Sequence, residues 1–217
     1  SLYHETNLTI ISVGGGFSYG QLGFSHHATE DYGILRTLPG ITIFTPGSKK
    51  EAIECLNRSL KIDNVCYIRI DKSDFKDDLE INDISEPREL IKGDEFLIVG
   101  VGGVIEEGVE AAEYLNENLN ISIGLVSIPQ LKPLNEKYLF RILSNYKKII
   151  TIEEHNLVNG LSSIVKEVCF NNSFIPEIFF NLGINDELSS KVGDQKYLRS
   201  CFGIDSNNII KIISENS

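Results

Sequence analysis

A glycine-rich segment with two adjacent histidines is the part of the sequence whose residue types best suit chemistry. It covers residues 14–27, reads GGGFSYGQLGFSHH, and directly follows the apolar run 8–13. Glycine lets a backbone approach a ligand closely or adopt positive φ, and histidine donates hydrogen bonds or carries protons near neutral pH. We therefore favour a ligand-binding loop, with His26 and His27 as candidate site residues. The alternative is a flexible loop whose histidines cap the next helix.

The histidine pair does not predict a metal site. Adjacent side chains seldom face one ion, and no third histidine or cysteine lies at ligand spacing. A second titratable cluster, Glu153-Glu154-His155, ends another apolar run. It could be an acid–base group or a metal site, but a structural or interface role suits a cluster with no partner in the sequence.

Arg69 is the one charged residue of the apolar run VCYIRI, residues 65–70. Its charge is costly in such a strand unless it is paired. The guanidinium could hold a phosphate or a carboxylate ligand, or it could form a salt bridge with a nearby aspartate. Both interpretations stay open from the residues alone.

The elements that must position these residues alternate between short β-branched runs and helical periodicity, which is the pattern of an α/β fold. The predicted strands cover residues 8–13, 41–45, 65–70, 96–101, 121–127, 149–153 and 175–182. The predicted helices cover residues 29–38, 49–60, 105–118, 135–143, 161–170, 195–202 and 205–214. Ser48 is placed to cap the second helix. Strands separated by helices of this length predict right-handed crossovers in mainly parallel sheets.

A change of composition divides the chain. Residues 71–95 hold ten acidic and four basic residues, a net charge of −6, with few apolar side chains. Such a stretch is typical of a solvated linker. We predict two consecutive, mainly parallel-sheet α/β domains: a truncated one over residues 1–75 and a complete one over residues 96–217, joined by an acidic linker over residues 76–95.

Composition excludes several classes of function. The 217 residues include 20 Lys+Arg and 31 Asp+Glu, and the net charge of −11 disfavours a nucleic-acid partner. The apolar runs are too short to span a membrane. The four cysteines have no C-x-x-C spacing and indicate reduced thiols of a cytoplasmic protein. No methionine is present, even at position 1, so we expect a piece of a longer chain.

Several ordered motifs resemble the transketolase family. Residues 23–36 (GFSHHATEDYGILR) and 39–47 (PGITIFTPG) are similar to a run in the family's pyrimidine-binding domain. Residues 99–103 (VGVGG), 127–134 (SIPQLKPL) and 151–155 (TIEEH) resemble the C-terminal domain of transketolases and deoxyxylulose-phosphate synthases. The similarity covers nearly the whole chain in the correct order.

The resemblance implies a transferase that depends on thiamine diphosphate and Mg²⁺ and moves a two-carbon ketol unit between sugars. It implies that His26 is a catalytic residue that hydrogen-bonds the donor, and that Arg69 holds the sugar phosphate. We include His27 as substrate-binding, although it has no clear family counterpart. Leu22 and Gly14 replace a family aspartate and histidine of the sugar site, which puts ordinary transketolase specificity in doubt.

The resemblance also implies partners. In the family, the groups that hold the cofactor's pyrimidine and its metal–diphosphate lie outside the matching segment, so we assign no cofactor-binding residue here. We expect a homodimer, a separate diphosphate-binding subunit or both, with a sugar phosphate as substrate and no activity for this chain alone. The alternatives are the beta subunit of a 2-oxoacid dehydrogenase and a non-catalytic scaffold with the same fold.

Overall fold

Two β-sheets with helices on their faces make up residues 6–217, the part of the chain that the computed structural model describes. The strands are β1 (Leu8–Val13), β2 (Thr42–Phe44), β3 (Val65–Ile70), β4 (Arg88–Ile91), β5 (Phe96–Gly100), β6 (Ile123–Ser127), β7 (Gln130–Lys132), β8 (Lys148–Asn156) and β9 (Ile178–Ile184). The helices are α1 (Asp31–Leu35), α2 (Lys49–Ser59), α3 (Ile105–Asn118), α4 (Glu136–Leu143), α5 (Leu161–Asn171), α6 (Gln195–Phe202) and α7 (Ser206–Ser214).

The first sheet has the strand order β1-β3-β2-β7. The first three strands are parallel, and β7 runs antiparallel to β2. Strand β7 comes from the later half of the chain, so it ties that half to the first sheet. The sequence analysis did not predict it, because three residues between Pro129 and Pro133 carry no readable periodicity.

The second sheet has the strand order β4-β6-β5-β8-β9 and is parallel except for β4, which runs antiparallel to β6. Strands β5 and β6 are buried along their whole length, as expected where helices cover both faces. One apolar cluster contains side chains of both sheets, among them Ile43 and Tyr67 of the first beside Leu97 and Val99 of the second. The two sheets therefore share a core.

The predicted α/β fold with mainly parallel sheets is confirmed, with three main differences in element bounds. Strand β9 begins three residues after its predicted start and ends two residues after its predicted end. The helix predicted over residues 29–38 is only the short α1, since Gly33 is a poor helix former and Pro39 disfavours helical geometry in the residue before it. Strand β8 continues to Asn156, three residues beyond its predicted end. That extension carries Glu154 and His155 into the interior between the sheets.

The acidic segment is less solvated than predicted. Ile84 and Arg88 are buried, and Arg88 opens β4. Arg88 Nη1 lies 2.6 Å from both Glu51 Oε1 and Asp77 Oδ2. Within the predicted linker of residues 76–95, the expectation of a fully solvated segment does not hold for residues 84–91, because Ile84 and Arg88 are buried and Arg88–Ile91 pair with β6. The domain limits themselves stay a prediction.

The cysteines are free thiols; Cys55, Cys66 and Cys169 are buried, and Cys201 is half-buried. Among the helices of residues 6–217, none combines the length and the apolar character needed to cross a membrane.

Candidate functional site

The segment of residues 14–27, called the glycine loop below, is closed at its base. Its first two amide groups both donate to Ile70 O at the end of β3, at 2.8 and 3.0 Å. Gly16 and Ala28 then exchange two backbone hydrogen bonds, at 2.9 and 3.0 Å. The loop therefore starts and ends at the carboxyl edge of the first sheet, the edge where open α/β sheets bind ligands.

His26 lies on the exposed side of the glycine loop, as the last residue of the 3-10 turn Phe24–His26. Its Nδ1 lies 3.0 Å from Ser25 Oγ, a contact that orients the ring. Helix α1 has Glu30 at its N-cap and no side-chain cap. The alternative prediction, in which the histidines only cap the next helix, is therefore wrong.

His27 has different surroundings from its neighbour. The ring is half-buried and meets Phe17 and Phe24 edge-on, with centroids 5.2 and 6.2 Å apart. Its Nε2 is buried and makes no hydrogen bond within the described residues. A buried nitrogen of this kind costs free energy until it finds a partner, so His27 suits a contact with a polar ligand group.

Arg69 lies in the interior, with 1% of its surface exposed. Its Nη2 donates to Glu154 O at 2.9 Å and to Ala28 O at 3.2 Å. Its Nε lies 3.6 Å from Asp31 Oδ2, and its guanidinium carbon lies 5.1 Å from the centroid of the Tyr32 ring. Burial acts to lower the pKa of Arg69, but the nearby aspartates outweigh it and raise that pKa, so the side chain stays charged.

The glycine loop covers Arg69. A Cβ added at Gly15 would overlap the Arg69 side chain, and one added at Gly16, whose φ is +59°, would overlap the Glu154 carboxylate. The structure thus displays the salt-bridge alternative for Arg69 and does not bring this residue to the exposed side where His26 lies. Direct contact of Arg69 with a phosphate stays a prediction.

Asp71 is a titratable residue that the sequence analysis did not single out. It follows β3 directly, and its Oδ1 accepts a hydrogen bond from Gly103 N at 2.7 Å. Burial, opposed by the charge of Arg69, raises the pKa of Asp71 to about 7. Its position after a strand of the first sheet is the signal that could have identified it.

A cavity of about 490 Å³ opens between the ends of β2 and β3 and the start of α6. Its wall includes Ser48, Asp71, Glu106 and Gln195, but not the predicted site residues. The carboxylate of Asp71 already accepts a bond from Gly103, and that of Glu106 already pairs with Arg199. This cavity therefore belongs to the junction between the sheets and not to the histidine site.

No group of three or more potential ligand residues within positions 6–217 is placed to hold a metal ion. We assign no step of a reaction to the metal-bound diphosphate of thiamine diphosphate here.

Comparison with family models matches most of the chain. Residues 2–77 match the model of the transketolase pyrimidine-binding domain, and residues 87–209 match that of the transketolase C-terminal domain.

Individual proteins agree with the family models. The chain is 31% identical over 214 residues to one of the subunits of apulose-4-phosphate transketolase from Actinobacillus succinogenes, covering 97% of this chain and 68% of that protein. It is 27% identical to the corresponding protein from Phocaeicola vulgatus, with 98% and 68% covered. A solved split-gene transketolase, described as an inactive beta4 tetramer, superposes with a TM-score of 0.78 at 25% identity. The match covers 98% of this chain and 67% of that one.

The family model of the C-terminal domain covers more than half of the chain, and the pyrimidine-binding model covers most of the remainder. The chain therefore belongs to the transketolase family and corresponds to the C-terminal section of a transketolase-like enzyme.

Proposed function

We propose that this chain is one component of a split, thiamine-diphosphate-dependent transferase that moves a two-carbon ketol unit between sugar phosphates. The family depends on this cofactor in general. The relative at 31% identity is named as one subunit of a transketolase, which supports a separate partner chain here. Because the described residues offer no metal-ligand cluster, we assign the cofactor's diphosphate and Mg²⁺ to that partner.

One observation carries this proposal: an exposed histidine stands on a closed loop at the carboxyl edge of the first sheet. His26 is oriented by Ser25 and can donate a hydrogen bond to the reacting end of a sugar donor. The unpaired Nε2 of His27 supplies a second polar contact beside it. Such groups position a substrate, while the cofactor supplies the difficult bond chemistry.

For Arg69 we keep the proposal of a phosphate contact, but it has a structural requirement. The glycine loop would have to lift from the guanidinium, because Gly15 and Gly16 lie directly against it. Neither Nε nor Nη1 of Arg69 has a hydrogen-bond partner among the described residues. Because Nε lies 3.6 Å from Asp31 Oδ2, Nη1 is the atom that we assign to such a ligand. The free thiols and the charge of the chain agree with the cytoplasmic location that we propose.

The test combines the full-length protein with its candidate partner chain, thiamine diphosphate and Mg²⁺. We expect ketol transfer from a panel of ketose phosphates that includes apulose 4-phosphate, and none from this chain alone. His26→Ala should lower kcat about 100-fold, and Arg69→Ala should raise KM for phosphorylated sugars but not for unphosphorylated ones. Gln21→Ala, an exposed residue of the same loop, is the control and should leave both constants unchanged.

Other outcomes would support the alternatives. Turnover of a 2-oxoacid with a lipoyl acceptor would indicate a dehydrogenase component. A folded complex that neither binds thiamine diphosphate nor turns over any substrate would indicate a scaffold. An unchanged kcat in the His26 variant of an active, assembled enzyme would remove that residue from the site.

A further inference from the structure

Each residue of the buried end of β8, residues 153–156, contacts the part of the chain that runs from the glycine loop to α1. Asn156 N donates to Thr29 O at 2.7 Å. The other three members also reach across, to Tyr32 OH, Phe17 N and Gly33 N. This explains the Glu153-Glu154-His155 motif as a contact surface within the chain and not as a metal site.

Glu154 is the residue of this segment that holds the glycine loop. Its side chain is buried, and its Oε2 accepts a hydrogen bond from Phe17 N at 2.9 Å. Gln195 Nε2 lies 3.0 Å from both carboxylate oxygens, and Arg199 Nε donates to Oε1. The carboxylate is therefore fixed from the side of α6 and offers a rigid acceptor to the loop backbone.

The close approach depends on glycine. With φ at +59°, Gly16 passes against the Glu154 carboxylate where a Cβ would overlap it. The next residue, Phe17, then points its amide at Glu154 and buries its ring completely. That ring stacks on Phe202 and meets the edge of His27, with both centroid distances at 5.2 Å.

A continuous series of contacts thus joins Glu154 to the histidine pair. The carboxylate fixes the amide of Phe17, the Phe17 ring supports the His27 ring, and His26 is the adjacent residue of the loop. We propose that Glu154 is a positioning residue that acts through Phe17 to hold His26 and His27 in place for the substrate. The expected effect of Glu154 on turnover rests on the proposed function. Its expected effect on the position of the glycine loop does not.

Two variants separate charge from hydrogen bonding at this position. Glu154→Ala removes the acceptor, leaving Phe17 N and Arg199 Nε without their partner. Glu154→Gln keeps an amide oxygen that can accept from Phe17 N, but its NH₂ group opposes the donors of Gln195 and Arg199. The Glu154→Gln variant should therefore hold the Phe17 amide less tightly than wild type and more tightly than Glu154→Ala.

Glu107 provides a matched control. It is also buried, and it binds the same arginine through Arg199 Nη1 at 3.0 Å and accepts a hydrogen bond from Ser206 N at 2.8 Å. Its hydrogen bonds within residues 6–217 do not reach the glycine loop. Glu107→Ala therefore disturbs the same buried charge network without touching the Phe17 amide.

Hydrogen–deuterium exchange of the full-length protein measures the loop directly. We expect Glu154→Ala to speed exchange of the Phe17 amide at least tenfold, Glu154→Gln to speed it less, and Glu107→Ala to leave it unchanged. In the assembled enzyme, Glu154→Ala should lower kcat at least tenfold with KM changed less than twofold, since misplaced catalytic groups lose rate. The glutamine variant should recover part of kcat.

The exchange measurement is independent of any activity. If the wild-type assembly shows no ketol transfer, the proposed function fails while loop exchange still decides the role of Glu154. If Glu154→Ala does not fold, the comparison of Glu154→Gln with Glu107→Ala decides it. Equal exchange of the Phe17 amide in wild type and in the folded Glu154 variants would overturn the proposal.

Discussion

At the scale of single residues, His155 acts as a neutral hydrogen-bond acceptor. Its Nε2 accepts from Gly33 N at 3.1 Å, so its Nδ1 carries the hydrogen and donates to Asn156 O at 2.7 Å. The ring stacks on Tyr32 with centroids 3.7 Å apart. Burial, and next the charge of Arg69, lower the pKa of His155 to about 4.

This pKa predicts a pH-dependent stability. An unfolded histidine has a pKa of about 6.5, so the unfolded chain takes up a proton as pH falls from about 6.5 to 4 while the folded chain does not. The free energy of unfolding should therefore fall over that window by about 3 kcal/mol, at about 1.36 kcal/mol per pKa unit. Urea unfolding of wild type and His155→Gln from pH 7 to 4 isolates the contribution of this residue.

The comparison with His155→Gln is needed because other groups face this histidine or titrate nearby. Asp31 favours its protonated form, whereas Arg69 opposes it. Glu153 Oε2 lies 3.9 Å from His155 Nδ1, and burial raises the pKa of Glu153. The raised pKa of Asp71 acts in the opposite direction, since it contributes stability at low pH that is lost as pH rises through about 7. It is present in both proteins and cancels in the difference. A difference that stays constant with pH would contradict the neutral, buried state of His155.

The sequence was sufficient to identify His26, His27 and the Glu153-Glu154-His155 motif as unusual, but not to assign their surroundings. Gly33 and His155 are 122 positions apart, and Phe17 and Glu154 are 137 apart. A local sequence pattern cannot predict contacts between residues so far apart in the chain. For the same reason the sequence left two interpretations of Arg69 open, because its burial depends on the glycine loop folding over it and on β8 from the second sheet.

At the scale of elements, helices with clear ends were predictable. Helices α3 and α6 have the predicted limits, and α2 begins after Ser48 as its cap predicts. Strands β4 and β7 were missed, because strands of three or four residues gain their stability from a distant partner strand and not from their own composition. The sequence therefore predicted elements with local signals, such as helix caps, but not strands that depend on pairing with a distant part of the chain.

The cap of α2 gives an element-scale prediction. Ser48 Oγ accepts from Glu51 N at 3.1 Å and donates to Asp77 Oδ2 at 2.9 Å. Ser48→Ala should therefore lower the free energy of unfolding by about 1 kcal/mol, as lost N-caps do. Asp205 is the control: it occupies the N-cap of α7 but makes no side-chain cap bond. Asp205→Ala should cost about 0.5 kcal/mol through the helix dipole alone. An unchanged free energy of unfolding in Ser48→Ala, measured in urea, would mean that the Ser48 bonds contribute nothing.

At the scale of the whole molecule, β1 is the outer strand of the first sheet and leaves apolar side chains exposed on both faces. Because paired residues of parallel strands share a face, Leu8 and Ile10 lie on the face of Tyr67, and Ile11 and Val13 lie on the face of Ile68. An exposed apolar edge strand favours pairing with another chain. The solved split-gene relative is described as a tetramer, which is an example of self-association in that protein.

We therefore expect this 217-residue chain to form a homodimer at micromolar concentration, with β1 in the contact. Val13→Asp should shift the mass measured by light scattering toward the monomer, because a charge buried in the contact loses its hydration without gaining a partner.

Val158→Asp is the matched control, since Val158 is 65% exposed and Val13 is 66% exposed. It adds the same charge to a chain that already carries −11, so general repulsion between copies is the same in both variants. A larger loss of dimer in Val13→Asp would place the contact at β1. A monomeric mass for the wild type, or equal loss in both variants, would show that the exposed side chains of β1 do not join two copies of this chain.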